Sequence, residues 1–337
     1  MAARVFGQLP QGGTVHEVTL AAGDLTVAVI TLGAIIRDVR LAGVGHPLVL
    51  GFDDPASYVE HSPYFGAVCG RYGGRIARGR FTLDGRPYQL SLNENGKTHL
   101  HGGNVGFSRR LWDIVEVRGD SVVLRLVSPD GEEGYPGTLT AEVRYTVEAP
   151  ATIRMEITAI ANAPTVVNLL QHSYFNLDDS PDILDHRLQI FAGAYTPTDA
   201  DLIPTGEVLT VAGSNFDFRT PRPVRQMRAG ERIVYDKNFV VDRRRAAAPR
   251  PMARLSSPVN GLTLAIESTE PGLQFYDGSY INLPVPGLGG RVYRANSGVC
   301  LEPQLFGDAP NHQSFPSSVL RPGETYRQVS TFAFARA

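Results

Sequence analysis

The strongest constraint on this chain is a side-chain alternation of period two that recurs along its length, with no long amphipathic helical pattern competing with it. Leu139, Ala141, Val143, Tyr145 and Val147 alternate with Thr140, Glu142, Arg144 and Thr146. Ile153, Met155, Ile157 and Ala159 alternate with Thr152, Arg154, Glu156 and Thr158, and Val122, Leu124, Leu126 and Leu262, Leu264, Ile266 repeat the pattern. Successive side chains of a strand leave on opposite faces, so each run predicts a strand with one face on a core and the other in water. Phe81 to Leu90 places Asp84-Gly85 between two such runs, a strong hairpin signal, and Val117 to Val122 offers a second turn. The 35 glycines and 24 prolines are spread throughout, as many short strands and turns require. At most, Pro55 to Tyr58 makes one short helical turn.

Parallel strands need long crossovers, usually helical, and none are evident, so the sheets are expected to be antiparallel and packed face to face. The fold class is therefore all-β, a large antiparallel β-sandwich. No linker-like stretch or internal repeat divides the chain, which reads as one domain over 1–337. Hydrophobic residues at 42% and charged residues at 20% suit a globular protein with a substantial core. A net charge of −2 gives no reason to expect a nucleic acid or an anionic membrane surface as partner. The triplet Arg243-Arg244-Arg245 reads as a solvated loop. Cys69 and Cys300 stand alone in apolar segments and read as buried thiols. Met1 to Pro10 has no apolar signal region, and no later run approaches a membrane span, so a cytoplasmic location is the default expectation.

Polar groups embedded in apolar or glycine-rich strand ends are the candidates for chemistry. Glu302 lies in Val299-Cys300-Leu301-Glu302-Pro303-Gln304, and His172 follows Asn168-Leu169-Leu170-Gln171. Each is costly to bury without a partner, and a buried acid beside a buried imidazole is what proton transfer requires. Arg71, Arg75, His99, His101, Asp236 and Gln274 recur in similar surroundings, where neighbouring glycines permit close approach and aromatics offer flat faces for a sugar ring. Singly, each has a structural alternative: a core histidine, a salt bridge, an Asx turn at Asp236. His99 and His101 would share a face if both lay on a strand, but no third ligand stands at a telling spacing, so a metal site is not expected. Gly73-Gly74 and Gly102-Gly103 lack the strand–turn–helix setting of a phosphate or dinucleotide loop.

Taken in order, the motifs resemble the aldose 1-epimerase (galactose mutarotase) family. They are Gly70-Arg71-Tyr72-Gly73-Gly74-Arg75-Ile76, His99-Leu100-His101-Gly102-Gly103, His172-Ser173-Tyr174-Phe175-Asn176-Leu177, Tyr235-Asp236-Lys237-Asn238-Phe239 and Cys300-Leu301-Glu302-Pro303-Gln304. The resemblance implies a galactose mutarotase-like β-sandwich that interconverts the anomers of free hexoses without metal or cofactor, as a monomer or homodimer. It implies Glu302 as general base, His172 as general acid, and Arg75, His101, Tyr174, Asp236 and Gln274 as the residues that hold the sugar. Gly74, Gln171, Lys237 and Asp277 depart from the family pattern, which bears on the preferred sugar.

Ordinary pKa values of about 4.3 for Glu and 6.5 for His would leave Glu302 ionised at neutral pH. A negative Glu302 nearby is expected to raise the pKa of His172. Three competing functions follow from the same residues. A glycosidase would pair Glu302 with Asp236, a hexose-6-phosphate epimerase would need an Arg or Lys cluster, and a noncatalytic sugar-binding module could keep Arg75, His101 and Asp236 but has no need of both His172 and Glu302.

Overall fold

In the computed structural model, which describes residues 3–336, the alternating runs pair as their patterns require. Leu139–Glu148 and Thr152–Ala161 form a hairpin in which nearly every second side chain is buried. They lie in a nine-stranded antiparallel sheet ordered Asp113–Val117, Ser121–Ser128, Leu139–Glu148, Thr152–Ala161, Tyr326–Arg336, Leu262–Ser268, Arg250–Ser256, Arg187–Ile190 and Arg222–Pro223. A six-stranded sheet runs Tyr174–Phe175, Val299–Gln304, Gly272–Tyr276, Asp236–Val240, Ala194–Tyr195 and Leu209–Thr210. A four-stranded sheet is built from Arg4–Gln8, Thr14–Ala22, Leu25–Ile30 and Ile35–Leu41. One apolar cluster joins them: Val143, Ile157 and Phe332 from the largest sheet, Leu273, Phe275 and Leu301 from the second, and Val27 and Val39 from the third. The sheets pack face to face over this shared core, which makes the fold the antiparallel β-sandwich expected from the alternation.

The Asp84-Gly85 hairpin joins Arg80–Leu83 to Arg86–Gln89, with φ of 50° and 76° at its two turn residues. Both values are left-handed, which suits the twist of the flanking strands. The helical turn at Pro55 extends further than expected, to His61. Asp54 caps it by accepting from the Ser57 N–H at 2.8 Å, and Pro55 occupies the first turn, where a missing N–H costs nothing. The arginine triplet is only partly solvated. Arg243 and Arg244 are exposed, whereas Arg245 turns inward, donates to Glu270 Oε1 at 2.7 Å and lies 4.6 Å over the Tyr326 ring. Glu270 is fully buried, and a buried carboxylate requires such a partner. Among the described residues no helix is long and apolar enough to cross a membrane.

The strand Val299–Gln304 is buried along its whole length. Val299 and Leu301 enter the shared core, so Cys300, Glu302 and Gln304 leave on the opposite face. Register places Glu302 opposite Gln274, which in turn faces Asn238, and places Cys300 opposite Tyr276, which faces Asp236. Three strands thus present one polar face.

Candidate active site

That polar face, with residues from 63–75 and 94–101 closing over it, borders a cavity of about 370 Å³. Arg75, His101, His172, Tyr174, Asp236, Gln274 and Glu302 all line it, so the seven residues singled out in the sequence converge on one hollow.

The backbone pins His172 on both sides: its N–H donates to Ala67 O and its carbonyl accepts from Gly66 N–H, each at 2.9 Å. Its ring lies nearly parallel to those of Tyr64 and Tyr174, with centroids 5.7 and 5.1 Å away. Nδ1 is 3.4 Å from Cys300 Sγ, and Nε2 is 3.7 Å from Glu302 Oε1. Both side chains are almost fully buried, and Glu302 Oε2 has no hydrogen-bond partner. Burial drives Glu302 well above the ordinary carboxylate range, with Asp236 adding to the rise and Arg75 opposing it. Burial lowers His172 to about 4. Both directions correct the expectation of a plainly ionised Glu302 that raises the pKa of His172. At 3.7 Å the two are beyond hydrogen-bond contact, and desolvating each charge costs more than their attraction returns.

Arg75 reaches the cavity from a short strand and is held by charge. Its Nε and Nη2 donate to the two carboxylate oxygens of Glu94, both at 2.8 Å, and Nη1 donates to Asp236 Oδ2 at 3.4 Å. Thr98 Oγ1 donates to Glu94 at 2.7 Å, and Gln274 Nε2 donates to Asp236 Oδ1. Arg75 is therefore both salt-bridged and site-facing. Tyr174 donates its hydroxyl to Pro63 O at 3.1 Å, so its ring is what it presents beside His172.

The two histidines of His99-Leu100-His101 part company, because the strand ends at Leu100 and His101 adopts φ 51°. His101 Nδ1 accepts from Gly74 N–H at 3.2 Å, which leaves its proton on Nε2. His99 turns away: its Nδ1–H donates to Ser91 O at 2.9 Å, and Nε2 accepts from the Tyr135 hydroxyl at 2.6 Å. It is a core residue. So is Arg71, whose five hydrogen bonds go to Ser128 Oγ and to the carbonyls of Ser128, Pro129, Pro136 and Gly137.

Of the four departures from the family pattern, only Gly74 lines the cavity. Gln171 donates to Gly66 O and Ser173 Oγ, Lys237 donates to Thr198 Oγ1, and the buried Asp277 accepts from Arg232. Sequence reasoning missed Tyr64, Glu94, Asn238, Tyr276, Tyr280 and Gln304 in the cavity wall. A signal existed for two of them, since Gln304 and Asn238 follow Glu302 and Asp236 by two residues on a strand and must share their face. None existed for Glu94, which stands in a polar loop shortly before His99 with no periodicity to single it out.

Donor atoms of His172, Cys300 and Glu302 lie within 4.8 Å of one another. Burial pushes the Cys300 thiol and the Glu302 carboxyl well up, toward protonated forms that do not ligate cations. A cation here would have to displace a proton from each of them.

Residues 16–333 match the family model described as aldose 1-epimerase. The chain is 41% identical to galactose mutarotase from Rattus norvegicus over 99% of its own length and 98% of the relative's. It is 34% identical to aldose 1-epimerase from Escherichia coli over 92% of each. The structure of an aldose epimerase homologue from C. elegans superimposes with a TM-score of 0.89 at 28% identity, covering 96% of this chain and 99% of the other. The chain belongs to the aldose 1-epimerase family.

Proposed function

We propose that the protein is a mutarotase that interconverts the α and β anomers of free aldohexoses such as glucose and galactose by acid/base-catalysed ring opening and reclosure. Glu302 takes the proton of the C1 hydroxyl while His172 gives a proton to the ring oxygen, and the C1–ring oxygen bond breaks to leave an open aldehyde. Rotation about C1–C2 and reclosure on the other face reverse both transfers. The observation that carries this reading is the 3.7 Å approach of His172 Nε2 to Glu302 Oε1 in the wall of one cavity. Both oxygens that exchange protons are bonded to one carbon, so acid and base must meet there.

The pair needs one proton between its members, and burial favours the neutral form of each. A sugar hydroxyl donating to the unpartnered Glu302 Oε2 favours the carboxylate, so the ionised pair forms as substrate enters. Arg75, His101, Asp236 and Gln274 hold the remaining hydroxyls and the ring oxygen, and Tyr174 supports the ring of His172. All of these lie in one chain, and we take the reading together with a single domain over 1–337, monomeric or homodimeric, in the cytoplasm, without metal or cofactor.

A glycosidase fits less well, since Asp236 is engaged by both Arg75 and Gln274. A sugar-phosphate epimerase fits less well because Arg75 is the one Arg or Lys in the cavity wall among the described residues, and two carboxylates already face it. A simple binding module has no use for a buried acid–base pair. Polarimetry on freshly dissolved α-D-glucose and α-D-galactose tests the reading. Faster decay of rotation than in buffer is expected, with a loss of at least ~10²-fold in His172→Ala. Release of reducing sugar from a glycoside, or binding without acceleration, would overturn it.

A further inference from the structure

Three buried acceptor oxygens on the cavity face of the six-stranded sheet have no hydrogen-bond partner: Glu302 Oε2, Gln304 Oε1 and Asn238 Oδ1. The proposed chemistry uses the first and leaves the other two unexplained. Gln304 is 2% exposed and Asn238 4%, yet both line the cavity. An unmet buried acceptor is costly, and native proteins retain few of them.

Their positions follow from the strands. Gln304 lies two residues beyond Glu302, ~7 Å along the same face, a distance comparable to the width of a pyranose. Asn238 stands one strand further over, beyond Gln274. Glycines keep the ground around both amides clear. Gly272 faces Gln304 across the ladder, and a Cβ there would meet Asn238 Oδ1 at 2.5 Å and Gln304 O at 3.0 Å. Gly74, at φ 80°, fronts the Gln304 head group, and the nearest atoms to a Cβ there would be Gly307 Cα at 3.7 Å and Gln304 Oε1 at 3.8 Å. Asn238 Nδ2 points to Thr196 Oγ1 at 3.5 Å, which turns its oxygen the other way. Arg75 in the cavity wall is already engaged by Glu94 and Asp236, so the two amide oxygens are left to accept from neutral donors.

We infer that Gln304 and Asn238 are specificity-determining residues that accept hydrogen bonds from sugar hydroxyls remote from C1, and that Gly74 sets the room available for the substituent beside Gln304. This rests on Glu302 acting at C1, which puts the far side of the ring within reach of its strand neighbour.

The test is polarimetric KM and kcat for wild type, Gln304→Leu and Asn238→Leu with glucose, galactose and the monodeoxy analogues of glucose. Loss of one such bond raises KM by about 10-fold with kcat nearly unchanged, because binding away from the reacting carbon is uniform across ground and transition states. The deoxy sugar that lacks the hydroxyl held by Gln304 shows the same KM in wild type and Gln304→Leu. Gln304→Glu keeps an acceptor in place and restores a KM near that of wild type. Unchanged KM in both leucine variants, or equal penalties in Gln304→Leu for every deoxy sugar, would overturn the assignment. If Gln304→Leu does not fold, Gln304→Glu and the wild-type panel decide, and a wild type indifferent to every deletion refutes it. A wild type that accelerates no anomerisation refutes the mutarotase reading instead.

Discussion

Replacing Glu302 with Gln separates the catalytic from the structural role of that carboxyl, because the two respond oppositely. Turnover falls by at least ~10²-fold, since an amide cannot take the C1 proton. Stability moves the other way with pH. The pKa of Glu302 in the folded protein is raised well above the ordinary carboxylate range, so the native state keeps a proton that the unfolded chain releases. Above pH 4.5 this group therefore subtracts stability as pH rises, by about 1.4 kcal/mol per pH unit until the raised pKa is reached. Gln has no proton to lose, so the variant gains on wild type by that slope. The assay is urea unfolding at several values between pH 5 and pH 7, followed by the fluorescence of Trp112, the single and buried tryptophan, alongside polarimetry. A folded variant with near wild-type mutarotation, or a stability difference that stays flat across that range, refutes the picture of a buried base held protonated by its surroundings.

Glu94→Gln removes the charged fork that holds Arg75, and is expected to raise KM by about 10-fold with a smaller effect on kcat. An unchanged KM would show that Asp236 alone positions Arg75. His99 is kept neutral, with a pKa lowered to about 4, so stability that is complete above pH 6.5 is lost as pH falls toward 4, by about 3 kcal/mol. In His99→Gln that share of the acid loss disappears, measured by urea unfolding at pH 6.5 and pH 4.5. Equal acid losses in both proteins would contradict the neutral tautomer. Cys69 and Cys300 are fully buried with thiols pushed well up, so an aromatic disulfide reagent at pH 8 should label neither in the native protein and both in denaturant. Rapid labelling of the native protein would show that the cavity opens to Cys300.

The strands were legible because burial on one face writes itself into alternation, as at Leu139 to Val147, and the Asp84-Gly85 turn announced its own hairpin. The meeting of Glu302 and His172 in one cavity wall was legible for a related reason, since both are ionisable groups in apolar company. Their protonation was not legible. It depends on how completely both are desolvated and on a separation of 3.7 Å, quantities that exist only once strands distant in sequence meet. His99 and His101 misled because the strand between them ends, and the left-handed backbone at His101 turns its ring away from that of its neighbour. Glu94 escaped notice because a polar loop carries no periodicity to mark which carboxylate matters. Arg71 misled in the opposite way: it stood among the candidates, but its guanidinium is consumed by the Ser128 hydroxyl and by backbone carbonyls that sequence does not display.

The strand from Val299 to Gln304 divides its alternate residues between two environments, since Val299 and Leu301 enter the core that the sheets share while Glu302 and Gln304 border the cavity. Inserting or deleting one residue just ahead of it would exchange those duties at every position, sending a carboxyl into grease and a leucine into the hollow. The reactive face therefore cannot drift along its strand in small steps during evolution or engineering. It can change only by substitution in place, and this segment should tolerate changes of residue far better than changes of length.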